Sequence, residues 1–168
     1  MTAVAAGLAP ARSPLDQSWR KLLNYGLILV LAQVFIALSN MPVELDRRVI
    51  IEPVLSLGYL SLLWLPIMVG YSVSNETVLE GMTAHVKGAR EILAGVVVGV
   101  IGGAGLGLLV LLLDNFDIRD PLVNWSPQLL AILSFDNGVS FGVAIWPLIG
   151  AGLGLAGGLM QVASPGLR

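Results

Sequence analysis

The sequence predicts an all-α, polytopic integral membrane protein with four transmembrane helices and one short interfacial helix. Three observations carry that prediction. The 168 residues are 56% hydrophobic and only 12% charged, where soluble domains carry about 25% charged residues; mean hydropathy is +0.85. Four apolar stretches stand between charged loops, and Ile92–Leu113 runs 22 residues without a charge. At 1.5 Å rise per residue that is roughly 33 Å of helix, enough to cross a bilayer core. Finally, Gly95, Gly99, Gly103 and Gly107 recur every fourth residue. In water each mid-helix glycine costs about 1 kcal/mol against alanine. In lipid a ridge without side chains lets a second helix approach to backbone contact.

Residues 1–20 are rich in Ala, Pro and Ser and read as a disordered cytoplasmic tail. Residues 21–168 then form one four-helix transmembrane domain. The first span is Leu22–Leu38, preceded by Arg20 and Lys21. Cleavage of a signal peptide near Ala37-Leu38-Ser39 is the rival reading; the long preceding tail and long apolar run favour a span. Asn24 and Gln33 lie within it as bonds to neighbouring helices. A mixed-charge loop, Asn40–Pro53, leads to the second span, Val54–Val73. Pro66 is expected to kink this helix and free the carbonyl near Leu62.

Ser74–Glu91 is a charged loop in which Thr77–Arg90 has the composition of a short surface helix. The third span, Ile92–Leu113, ends in an acidic turn closed by Pro121. Ser126-Pro127 is a good N-cap and first-turn pair. The apolar residues after it are too few to cross, so they predict a helix lying in the interface, anchored by Trp125. The fourth span is Val139–Ala163, with Pro147 near its start and a second ladder at Gly150, Gly154 and Gly158. The hexapeptide Gly-Ala-Gly-Leu-Gly-Leu occurs at 103–108 and again at 150–155. The third and fourth spans are therefore expected to pack together through their glycines.

With four spans the two termini share a side. Six of nine Lys and Arg residues fall on that side, and seven of eleven acids on the other. The positive-inside rule then puts both termini in the cytoplasm.

The function classes narrow in the same way. The net charge of −2 offers no basic footprint for nucleic acid. With no cysteine there is no thiolate catalysis and no Cys-ligated metal. By these boundaries no span contains Asp, Glu, Lys, Arg or His, which argues against a proton relay, a carboxylate cation site or a voltage sensor. His85 stands in a mixed-charge loop, and the Asp114–Asp120 cluster lacks EF-hand spacing. Gly152, Gly154 and Gly157 fit G-x-G-x-x-G but lie within a span, without a preceding strand. The sequons at Asn75 and Asn124 are set aside, the first as cytoplasmic and the second for Pro127 directly after it. No catalytic, metal or cofactor residue is assigned, and the chain is not expected to be an enzyme.

Glu52-Pro-Val-Leu-Ser-Leu-Gly-Tyr59, the glycine-laddered span, Val123-Asn-Trp-Ser-Pro-Gln-Leu-Leu-Ala-Ile-Leu-Ser-Phe135 and the glycine-rich last span follow one another in a recognisable order. Over residues 20–168 the chain resembles the amino-terminal membrane region of bacterial branched-chain amino-acid ABC transporter permeases. The resemblance implies a permease component of the cytoplasmic (inner) membrane, partnered by an ABC ATPase, a second permease and a periplasmic binding protein. It also implies a polypeptide that continues past Arg168 or pairs with another permease. Such permeases have more than four spans, their coupling loop is not recognisable in Ser74–Glu91, and no substrate-binding residue carries over. A small helical membrane scaffold or assembly subunit without transport activity of its own is the alternative.

Overall fold

The computed structural model describes residues 14–46, 49–51, 55–75, 87–116 and 127–164. Among them the elements run α1 (Pro14–Leu38), α2 (Met41–Asp46), β1 (Val49–Ile51), β2 (Leu55–Ser56), α3 (Leu57–Asn75), α4 (Lys87–Asn115), α5 (Pro127–Ser134) and α6 (Val139–Ala163). Four of these helices are long and apolar enough to cross a membrane: they contain Trp19–Leu38, Leu57–Ser74, Gly88–Asn115 and Val139–Ala163. The protein is a helical membrane protein.

Local chemistry sets the boundaries. α1 begins at Pro14, so helix replaces the last part of the tail expected through residue 20; proline's fixed φ suits a first helical turn. It ends where Asn40 takes φ 63° and donates its N–H to the Ala37 carbonyl at 3.2 Å, a left-handed stop that asparagine tolerates. The next segment, read from sequence as a loop, folds into α2 and a two-stranded antiparallel pair with Val49 opposite Ser56. Ser56 then caps α3: its Oγ accepts from the Tyr59 N–H at 3.3 Å and donates to Asp46 Oδ1. α4 starts at Lys87, so the end of the expected surface segment belongs to the span itself. The rest of that segment, the acidic turn from Asp117 onward, Trp125 and Ser126 lie outside the described residues.

α4 is the hub, in contact with α6, α1 and α3. Side-chain cores occupy the two ends of the bundle. One gathers Leu106, Val110, Leu129, Leu133 and Trp146 with Ala37 and Leu62. The other gathers Leu22, Leu29, Val73, Ala94 and Val98. α5 belongs to the first. Its Leu129, Ile132 and Leu133 are buried, and it touches α2, α4 and α6. The apolar face of this short helix is thus turned onto the spans. Its last turn is closed by Asp136 N–H donating to the Ala131 carbonyl at 3.0 Å, with Phe135 and Asp136 at φ 54° and 56°. A left-handed backbone is costly for an aromatic residue. The ring offsets that cost by stacking on Tyr59 at 5.0 Å and lying 5.4 Å from Trp146.

Candidate functional site

Beside the second core, on a neighbouring face of α4, α4 and α6 meet through their backbones. Cβ atoms built on the glycines show how close the approach is. At Gly95 a Cβ would meet the Gly154 carbonyl oxygen at 2.5 Å. At Gly99 it would strike the Gly150 carbonyl, and at Gly103 the Trp146 carbonyl. At Gly107 it would lie 3.0 Å from the Val143 oxygen. In reverse, a Cβ on Gly150 would strike the Gly99 carbonyl, and one on Gly154 the Gly95 carbonyl. At Gly158 it would come within 2.9 Å of Ile92 Cα. From Gly95 to Gly103 the contacts step four residues up one helix as they step four down the other, and three down at Gly107, so the pair is antiparallel and holds its register to within one residue. Backbone atoms cannot swing aside as a side chain does, so no larger residue fits at these rungs without moving a helix.

Two further faces extend the interface beyond what periodicity indicated. On α3, a Cβ at Gly70 would lie 2.9 Å from the Gly154 oxygen, and one at Gly157 would strike the Ile67 carbonyl. Gly154 is therefore where α3, α4 and α6 meet. Gly70 is twelve residues from Gly58, the other glycine of α3, and forms no ladder, so spacing gave no signal for it. On the α1 side, Cβ atoms at Gly102 and Gly105 would meet Leu29 and Val30, and one at Gly26 would meet Ile101. Here the opposing groups are side chains.

Pro66 lies inside α3, which continues as helix through it. Proline has no N–H, so the Leu62 carbonyl lacks its helical donor. Gln33 of α1 supplies one: its Nε2 donates to Leu62 O at 3.4 Å, and the side chain is 1% exposed. Its Oε1 is buried without a donor, in the notch where a Gly102 Cβ would approach to 3.0 Å. Pro147 has the matching effect in α6, freeing the Val143 carbonyl that faces Gly107. At the far end of α3, the Ser74 hydroxyl lies 2.8 Å from both the Gly70 and Glu91 carbonyls, tying α3 to the first turns of α4. Trp146 Nε1 donates to the Leu133 carbonyl at 2.7 Å, tying α6 to α5.

The Asp, Glu, Lys and Arg residues of the four long helices lie in their outer turns: Asp16, Arg20 and Lys21 in the first two turns of α1, Lys87, Arg90 and Glu91 at the start of α4, Asp114 at its close. Among the described residues no group of three or more His, Cys, Asp or Glu is placed to hold a metal ion. What the arrangement offers is mechanical, a rigid helix pair with α3 wedged against it. No family model, curated protein or solved structure matches the chain.

Proposed function

We propose that the chain is the helical membrane module of a bacterial ABC importer, of the kind that its sequence resembles in branched-chain amino-acid permeases. Within that importer the four spans hold the assembly together and do not themselves line the path. The observation that supports this reading is the backbone contact along Gly95, Gly99, Gly103 and Gly107. A path needs side chains or carbonyls facing a space, and here the central carbonyls face glycines of the next helix. The module sits in the cytoplasmic (inner) membrane with both termini in the cytoplasm, following the Lys and Arg count. Its partners are an ABC ATPase, a second permease and a periplasmic binding protein, which supply energy and substrate.

Tagging the amino terminus at the native locus tests the proposal. Solubilised membranes are expected to give a tagged species that copurifies with an ABC ATPase, at a mass above that of the tag plus 17.7 kDa or together with a second permease. A product at the mass of the tag plus 17.7 kDa, with no ATPase or permease partner, would overturn the importer reading. It would leave a free-standing helical scaffold as the function.

A further inference from the structure

α5 is joined to α6 by a pivot. On the near side of it the backbone bonds close on α5 itself: Phe135 N–H donates to the Ile132 carbonyl, Asp136 N–H to Ala131 and Asn137 N–H to Ser134. On the far side they close on α6, where the Phe141 and Gly142 N–H groups both donate to the Gly138 carbonyl. Among the described residues no backbone hydrogen bond links 131–137 to 138–142. Phe135, Asp136 and Gly138 all hold positive φ, and a Cβ on Gly138 would meet nothing within 4 Å. What fastens α5 to the spans lies outside this joint. Trp146 Nε1 of α6 donates to the Leu133 carbonyl. The Phe135 ring lies against Tyr59 of α3 and close to Trp146 of α6.

In water, burial of Leu129, Ile132 and Leu133 would by itself hold such a helix in place. In a bilayer that burial counts for little, because acyl chains are as apolar as leucine. The same three side chains are accommodated when α5 lies in the interface with its apolar face in lipid, the placement that its length and spacing suit. Against docking stands the left-handed backbone of Phe135, a strain of the kind found in switch regions. We propose that α5 is a bistable flap, docked on the spans in this structure and released into the membrane interface by a turn about Asn137-Gly138. The Trp146 bond and the Phe135 stack set the balance between the two positions. Release bares the seat of α5 on α2, α4 and α6. The flap moves on a bundle that the glycine contacts of α4 and α6 keep fixed.

The chain has no cysteine, so pairs of spin labels on introduced cysteines report the motion in proteoliposomes. Gln128→Cys on α5 with Leu93→Cys on α4 reads the flap. Leu31→Cys on α1 with Leu93→Cys reads the bundle. All three positions are exposed. Electron–electron distance measurements on the first pair are expected to give two components, docked and released. Trp146→Phe and Tyr59→Leu each remove one fastening and are expected to raise the released share roughly threefold or more, with the second pair unchanged. Shares that ignore both variants, whether one component is seen or two, would overturn the proposal. Equal changes in the two pairs would overturn it as well, since they report a loosened bundle in place of a moving flap.

Discussion

A glycine can be present because nothing else fits, or because nothing selects against it, and the two cases separate residue by residue here. Gly99 would place a Cβ against the Gly150 carbonyl, while Gly152, two positions along α6, faces open space. Gly99→Ala is therefore expected to destabilise the bundle by about 1–3 kcal/mol, the usual range for overpacking, and Gly99→Leu or Gly154→Leu by more. Gly152→Ala is expected to be neutral or slightly stabilising. Thermal unfolding in detergent decides; a Gly99→Leu protein as stable as the parent would refute close packing of α4 on α6. Gly70→Ala is expected to behave like Gly99→Ala although no ladder surrounds it, since its nearest neighbours are also backbone atoms of Gly154. The ladder itself is readable in the sequence because helical period and glycine spacing coincide. The atoms opposite each rung are not, because they come from a helix some 50 residues away (Gly99 to Gly150 is a separation of 51).

At the scale of the element, α3 depends on its neighbours for what its own sequence removes. Pro66 takes an N–H away from Leu62, and Gln33 of α1 returns a donor. Removing that donor by Gln33→Leu is expected to cost about 0.6 kcal/mol, the average for such bonds between membrane helices, and no more than roughly 1.7 kcal/mol. In a Pro66→Ala background the backbone N–H of residue 66 supplies the bond, so the same Gln33→Leu change is expected to cost nothing or to stabilise. A double-mutant cycle reads the coupling directly, and strict additivity would show that Gln33 and Pro66 act independently. Trp146→Phe keeps most of the ring but loses the bond to Leu133, an expected loss of about 1 kcal/mol. The long elements are legible because 20 or so apolar residues have few alternatives in lipid. The short ones are less so. α2 and the strand pair fold from a charged segment because Asp46 and Ser56 meet, and Gly58 lies against the Pro42 carbonyl; sequence spacing carries neither fact. α5 is legible as a helix from Ser126-Pro127 and its apolar spacing, but its orientation follows from Trp146 and Phe135, which close over it.

The whole molecule is a bundle with side-chain cores toward its two ends and a seam of bare backbone running beside them between α4 and α6. Its topology gives a prediction at the same scale. On the proposed orientation, with both termini in the cytoplasm, Asp136→Cys is expected to react with a membrane-impermeant thiol reagent from outside intact cells, and Ser164→Cys only after permeabilisation. The reverse labelling pattern would invert the orientation derived from Lys and Arg counts. The antiparallel register of α4 and α6 also has a temporal side. The chain emerges from its amino end at about 5–20 residues per second, so the ridge of α4 enters the bilayer roughly 3–10 s before the residues that cover it. During that interval α1 has already been made and can cover the flank of α4 that bears Gly102 and Gly105, while the flank bearing Gly95 and Gly99 waits for α6. A ribosome stalled in the stretch between the two ladders would hold that flank open, and quality control in the membrane has a ready mark of an unfinished molecule.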